Sequence, residues 1–297
     1  MSTVMERPAS TTPAIPPKVV ELEITGTCQL QCMQCFADSG PSGTHGVMTA
    51  DDWRRVISDA AALGVREVQL IGGEPTVHPA WSELVDHALS FGLQVEVYSN
   101  LFHIKAGWWR LLARERVKLA TSYYSDRAEE HDAITHRGGS HGRTRANIAQ
   151  AVRRGIPLRV GIVSVLPGQR VAEAREELEA LGVTMIRTDR TRRIGRASLV
   201  GARTDTAELC GRCGDGQVAV LPTGAVTPCV LSRWLATGNV RERGLAAILG
   251  SKAWADALSV IPARASSEPC DPDCKPASDG GDCSPAEQPA CDPKYNE

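Results

Sequence analysis

No stretch of this 297-residue chain approaches the roughly eighteen consecutive apolar residues that a membrane-spanning helix requires, which excludes such a helix. Net charge is nearly absent too: 33 Lys and Arg stand against 35 Asp and Glu, leaving −2. Attraction to a polyanion through bulk charge is excluded, and no nucleic-acid partner is expected. The segment Met1–Lys18 is rich in Pro, Ser and Thr and lacks the apolar core of a secretory signal. That lack predicts a cytoplasmic protein with no membrane partner, in a compartment where thiols stay reduced. Hydrophobic residues at 42% and charged residues at 23% exclude wholesale disorder. The length fits one large domain or two unequal ones.

Cysteine is missing from the whole middle of the chain, yet there are ten. Cys28, Cys32 and Cys35 lie near the start, Cys210, Cys213 and Cys229 follow much later, and Cys270, Cys274, Cys283 and Cys291 crowd the tail. In a reducing compartment, clustered cysteines point to metal or redox chemistry rather than disulfides. The segregation predicts two metal-bearing regions flanking a metal-free scaffold.

That scaffold alternates strands and helices. Strands are predicted at Val19–Thr25, Val65–Ile71, Gln94–Tyr98, Val117–Ser122, Leu158–Val165 and Val183–Thr188. Helices are predicted at Thr49–Leu63, Trp81–Ser90, Ala106–Arg114, Thr144–Arg154 and Val171–Ala180. Thr49 and Asp52 form a capping box, and Gly64, Gly92, Gly155 and Gly182 end four helices. Such βα units imply a parallel sheet with right-handed crossovers, doubly wound or barrel-like; periodicity alone does not choose. After Ala197 the pattern stops. A hairpin is expected around Val218–Leu221, Pro222-Thr223-Gly224 and Val226, then a helix over Trp234–Leu258 broken near Gly238. From Ala263 the tail is too polar to bury a core and needs a staple, for which its four cysteines are available. The expected division is a flexible segment 1–18, a scaffold 19–197 and a Cys-rich extension 198–297.

Cys28-x3-Cys32-x2-Cys35 follows the first strand directly. Three thiolates within eight residues can grip one face of a [4Fe–4S] cube and leave one iron open. A closed zinc site with His45 as fourth ligand fits the spacing equally well, and simple packing of small residues fits less well. The second strand runs into Gly72-Gly73-Glu74-Pro75. Two glycines admit a ligand to the backbone, and the carboxylate can accept from an ammonium group.

Together these two motifs resemble the radical S-adenosylmethionine (radical SAM) enzymes. The resemblance implies an α/β fold, a partial (β/α)6 barrel with a small Cys-rich C-terminal extension. It implies that Cys28, Cys32 and Cys35 hold the cluster, whose open iron takes the amino and carboxylate groups of S-adenosyl-L-methionine. Gly72, Gly73 and Glu74 would orient the methionine amino group, and Ser99, Asn100 and Ser122 would add ribose and carboxylate contacts. Gln34 stands where many relatives carry an aromatic residue or His before the third cysteine, and Phe36 follows. Cys213-x10-Gly224-x4-Cys229, with Arg192–Ala197 as a link, resembles the auxiliary-cluster extension called SPASM or its shorter form, twitch. One auxiliary [4Fe–4S] cluster is implied on Cys210, Cys213, Cys229 and a tail cysteine. For the rest of Cys270, Cys274, Cys283 and Cys291, a second cluster, zinc, or a tail whose thiols do nothing all remain open.

The activity this implies is reductive cleavage of S-adenosylmethionine to a 5′-deoxyadenosyl radical, which abstracts a substrate hydrogen. An external donor such as flavodoxin or ferredoxin would supply the electron. The expected substrate is a ribosomally made peptide, oxidised, crosslinked or epimerised; the alternative is an antibiotic sugar such as an aminoglycoside. Epimerisation would need a free donor thiol among the seven later cysteines. About eighteen residues precede the first strand, so a fused leader-peptide-binding domain is not expected. Two non-enzymatic readings remain: an iron–sulfur electron-transfer protein, which would not need Gly72–Glu74, and a zinc-stapled interaction module. The arginines of Arg187–Arg196, without interleaved aromatics, are read as a solvated face with a substrate or cofactor contact as the alternative. His131, Asp132 and His136 are read as a surface loop or helix start rather than a metal or acid–base site.

Overall fold

The computed structural model describes residues 16–198 and 206–262; the four tail cysteines lie outside the described residues. Thr49 begins the first helix as expected. Its hydroxyl accepts from the Asp52 N–H at 3.1 Å while Asp52 accepts from the Thr49 N–H at 3.0 Å. Thr49→Ala keeps the backbone bond to Asp52 but removes the hydroxyl that accepts from the Asp52 N–H, which is expected to cost about 1 kcal/mol in a urea titration.

The parallel core runs β1 (Val19–Thr25), α1 (Ala50–Ala62), β2 (Glu67–Gly72), α2 (Trp81–Ser90), β3 (Gln94–Tyr98), α3 (Trp109–Leu112) and β4 (Val117–Tyr123). Then come α4 (Ala128–Thr135), α5 (Ser140–Arg153), β5 (Leu158–Ser164), α6 (Val171–Ala180) and β6 (Met185–Arg190). The last elements are β7 (Gln217–Val220), β8 (Ala225–Thr227), β9 (Gly238–Asn239), α7 (Leu245–Leu249) and α8 (Lys252–Ser259). Among the described residues, one sheet carries all nine strands in the order β6-β5-β4-β3-β2-β1-β7-β8-β9. Strands β1 to β6 are parallel neighbours in sequence order, as a partial (β/α)6 barrel requires.

Both faces of this sheet are buried, and they differ in chemistry. Val20, Leu22, Val68, Leu70, Val95, Val97, Val160 and Ile162 pack with Trp53, Ile57 and Leu84 of α1 and α2 in the main core. The alternate positions Glu21, Glu23, Gln69, Glu96 and Arg159 face the other way and are buried as well. Arg159 grips Glu96 with both arms, at 2.8 and 2.7 Å. Burial works against the Glu96 charge, but Arg159 prevails and holds the carboxyl below its usual range.

Four expectations are corrected. The break after Ala197 does not end the sheet: β7 pairs parallel with β1, Val20 opposite Val218, so the hairpin extends the barrel sheet. Trp234–Leu258 is not a broken helix, because its first part forms β9 against β8 and only α7 and α8 are helical. The helix expected over Ala106–Arg114 is a 3-10 turn, Ala106–Trp108, followed by the single turn of α3. The helix expected from Thr144 begins at Ser140, and a helix not anticipated, α4, precedes it.

Candidate functional site

At the C-terminal ends of β1 to β6 lies a cavity of about 1120 Å³, counting its open mouth. Function collects at this end of parallel barrels because the βα loops converge there. Cys28, Cys32 and Cys35 all line it, together with Gly72, Gly73, Asn100 and Ser122. They come from the ends of four strands, β1, β2, β3 and β4, which are far apart in sequence and are brought together by the strand order.

The loop bearing the first three cysteines is held from several sides. The Cys28 N–H donates to the Gly40 carbonyl at 3.0 Å, and Gln31 and Met33 donate to the α4 carbonyls of Thr135 and Ile134. Backbone N–H groups already point at sulfur: Leu30 at Cys28 Sγ, 3.4 Å, and Ser39 at Cys35 Sγ, 3.3 Å. Asn100 adds its side-chain amide to Cys28 Sγ at 3.5 Å. Burial and the neighbouring Cys35 push the Cys32 thiol up to about 12. Burial and Glu74 push Cys28 up as well. Cys28 and Cys32, which resist ionising, need a cation to bring out their thiolates, which is what a metal cluster provides.

Gly73 explains why this motif has no side chain. Its N–H donates to the Thr25 carbonyl at 2.7 Å, and a Cβ there would lie 2.3 Å from the Thr27 carbonyl oxygen. The motif is thereby zipped to the start of the cysteine loop. Glu74 and Ser99 are not among the residues lining the cavity. The Glu74 carboxylate accepts from the Thr76 N–H and hydroxyl at 3.1 and 2.6 Å and from the Asn100 N–H at 2.8 Å. Its place is behind the wall, where it fixes Asn100. Ser122 sits on the wall with Tyr98, their hydroxyls 3.1 Å apart.

Sequence reasoning missed Tyr124, His131, Thr135, Thr144, Asp189 and Thr191 on this wall. Tyr124 and Asp189 lie at strand ends, so the rule that picked Ser122 would have reached them. His131 and Thr144 come from helices and carry no such signal. Of the two readings of His131, surface loop or helix start, the surface loop is corrected: it lies on the helix α4 and is 1% exposed. Asp132 instead holds the start of α5, accepting from the Gly139 and His141 N–H groups at 2.6 and 2.8 Å. His136 is the exposed end of α4, at φ 51°.

The reading of the arginine segment as a solvated face holds at Arg190 and Arg193, which are exposed, and is corrected at Arg192. Arg192 is buried on the cavity wall and donates to the Glu208 carbonyl at 2.8 Å. Arg190 and Arg193 both pair with Glu208, at 3.3 and 2.7 Å. Burial, against the pull of Arg192, raises the Asp189 carboxyl to about 6. A carboxyl that ionises less readily when folded favours folding while protonated. That contribution is complete below its ordinary value of 3.8 and is lost as the pH rises through about 6. Relative to Asp189→Asn, the wild-type chain is expected to lose up to about 3 kcal/mol between pH 4 and pH 8. Paired urea titrations across that range check it.

The second thiol group is tighter. Cys213 and Cys229 lie with sulfurs 2.9 Å apart, and Cys210 shares a hydrogen bond with Cys213. That bond lowers Cys210 to about 6. Leu231, two residues after Cys229, lines the cavity, and Cys213 and Cys229 pack in one cluster with it and with Ile71 of the same wall. Among the described residues no three His, Cys, Asp or Glu side chains converge around a single metal ion. His45 bonds the Thr25 hydroxyl at 2.8 Å. An iron–sulfur cube spreads its thiolates wider than one ion does, and the first three thiols suit the cube. Three buried atoms on the wall, Gln34 Oε1, Ser39 Oγ and His131 Nδ1, have no hydrogen-bond partner, which marks the cavity as built for a polar ligand. The residues present therefore fit both the cluster and S-adenosylmethionine.

Comparison with known proteins agrees with this geometry. Residues 22–181 match the Radical SAM superfamily, and residues 210–276 match SPASM, an iron-sulfur cluster-binding domain. The chain belongs to the radical SAM superfamily and carries a SPASM extension. It is 40% identical over 101 residues to the PqqA peptide cyclase of Bradyrhizobium diazoefficiens, covering 34% of this chain and 24% of that protein. It is 31% identical over 186 residues to the mycofactocin maturase MftC of Mycobacterium tuberculosis, covering 62% and 45%. The chain thus spans from about a quarter to just under half of these relatives' length. In fold it is similar to Streptococcus suis SuiB bound to its precursor peptide SuiA, with TM-score 0.69 at 15% identity over 82% of this chain and 67% of that one. No helix among the described residues is long and apolar enough to cross a membrane.

Proposed function

We propose that this chain cleaves S-adenosylmethionine reductively and uses the radical so formed to modify a ribosomally made peptide. The observation that carries the reading is the convergence of Cys28, Cys32, Cys35, Gly72, Gly73 and Asn100 on one cavity, with Cys213 and Cys229 packed against the wall residues Ile71 and Leu231. Cys28, Cys32 and Cys35 would hold a [4Fe–4S] cluster, which when bound and reduced would supply the electron for cleavage of the sulfur–carbon bond of S-adenosylmethionine.

The chain's own residues bind, orient and exclude water. Gly72 and Gly73 offer backbone to the ammonium group of the cofactor, Glu74 holds Asn100 in place, and Ser122 with Tyr98 presents hydroxyls to its ribose. Phe36, Ile71 and Leu231 keep the cavity dry enough to protect a reactive carbon radical. Cys210, Cys213 and Cys229, with a further ligand, are assigned to an auxiliary cluster. In this reading the barrel unit spans 19–197 and the extension 198–297, and a flavodoxin- or ferredoxin-type donor delivers the electron. The names of the relatives, a peptide cyclase and a maturase, and the peptide-bound SuiB support a peptide substrate.

Anaerobic reconstitution with iron and sulfide, reduction with dithionite and chromatography test the reading. The expected result is 5′-deoxyadenosine and methionine in equal amounts. A brown protein that leaves S-adenosylmethionine intact would instead be an electron carrier.

A further inference from the structure

Arg196 leaves the barrel on the way to the extension, in the 3-10 turn Gly195–Ala197, yet it reaches back to the cysteine loop. One guanidinium nitrogen donates to the Cys32 carbonyl at 2.6 Å and the other to the Ser39 carbonyl at 2.5 Å. Its backbone N–H donates to the Cys35 carbonyl at 2.9 Å. Three carbonyls of the loop that bears the thiols are thus captured by one residue. Gly195, at φ +61°, lies so close that a Cβ there would sit 2.2 Å from the Phe36 carbonyl oxygen. The exposed Asp38 approaches the same guanidinium at 3.1 Å, and the arginine side chain is itself only 22% exposed.

We propose that Arg196 is a positioning residue for the Cys28/Cys32/Cys35 cluster, its fork fixing the loop and its charge raising the cluster's reduction potential. The inference rests on the reading that these thiols hold a cluster. A guanidinium is always charged, and its planar fork can bridge two carbonyls that a single ammonium cannot hold together. Ser39, whose carbonyl is one of the two, also aims its N–H at Cys35 Sγ. Holding that peptide unit therefore holds an N–H···S bond. Reduction adds one negative charge to the cluster, so a fixed cation nearby favours it, and N–H···S bonds act in the same direction.

Two variants separate fork from charge. Arg196→Gln keeps a donor and loses the charge; Arg196→Lys keeps the charge and loses the bridge. After reconstitution of the full chain, a redox titration follows the electron-paramagnetic-resonance signal that S-adenosylmethionine perturbs. The proposal expects Arg196→Gln to shift that midpoint to more negative potential and to lose iron to a chelator about tenfold faster than wild type. It expects Arg196→Lys to keep a midpoint near wild type while losing iron faster. A wild-type midpoint in Arg196→Gln, or a shift in Arg196→Lys as large as in Arg196→Gln, overturns it. Wild-type protein that shows no perturbable signal would sink the cluster reading instead, so the two failures are distinct.

Discussion

Replacing Cys28, Cys32 and Cys35 together by Ala is expected to bring 5′-deoxyadenosine formation down to the no-enzyme level. The expectation follows from where the thiols sit. All three line one cavity, and backbone or side-chain N–H groups already donate to Cys28 Sγ and Cys35 Sγ. No other trio of thiols among the described residues opens on that cavity; Cys213 and Cys229 are buried beside it, and their sulfurs face one another. The triple variant is therefore expected to lose about four irons per chain, one cube, and all cleavage. Cys213→Ala is the contrasting case: it loses iron from the second group but retains cleavage of S-adenosylmethionine. Iron analysis and product chromatography on the same preparations decide it. Comparable loss of cleavage in both variants, with the first cluster intact in Cys213→Ala, would contradict the division of labour.

Arg159→Leu carries the second large effect, this time on stability. Arg159 and Glu96 are 7% and 1% exposed and joined by two short bonds on the barrel's inner face. Glu21, itself fully buried, also draws on the Arg159 charge; burial first and Cys229 second push its carboxyl well up. Removing the arginine leaves the buried Glu96 carboxylate with only the Gln69 amide and the Lys118 ammonium, 4.0 Å away, a change that costs up to about 3 kcal/mol. Against the 5–15 kcal/mol typical of a folded domain this is a large share. The cost belongs to the poorly compensated charge rather than to the contact, so Arg159→Leu with Glu96→Leu is expected to recover much of it. Urea midpoints of the single and double variants measure the recovery. A double variant no more stable than Arg159→Leu would show that these side chains act through packing alone.

The inner face also shows why the sequence was legible in some places and opaque in others. Helix caps, glycine stops and apolar periodicity act locally, and the six strands and α1, α2 and α6 followed from them. Capping is visible at Thr49 and Asp52 because both partners lie within one turn. The β7–β8 hairpin was legible from its Pro222-Thr223-Gly224 turn, but its parallel pairing with β1 and the two-residue β9 are long-range pairings that no local pattern reports. Helix α4 has few apolar residues and no side-chain cap, so nothing local announced it. Its tertiary role is clear: its last carbonyls hold the cysteine loop and its His131 reaches the cavity wall. Charged residues misled in one direction only. A dense run of arginines reads as solvated unless its partners are known, and here Glu208, Asp189 and the carbonyls of Cys32 and Ser39 supply them. The two motifs that named the cofactor, Cys28–Cys35 and Gly72–Glu74, were legible because each is contiguous; the wall completed by Tyr124, Asp189 and Arg192 is assembled only by the fold.

The account's central claim is that an open iron on the first thiol trio meets S-adenosylmethionine in this cavity. Electron paramagnetic resonance of the dithionite-reduced, reconstituted chain, recorded with and without S-adenosylmethionine, tests it most directly. The account predicts a reduced-cluster signal whose g-values shift on addition of the cofactor, and whose shift is absent in the Cys28/Cys32/Cys35→Ala variant. A signal indifferent to S-adenosylmethionine, or a colourless protein that binds zinc in place of iron, would contradict it.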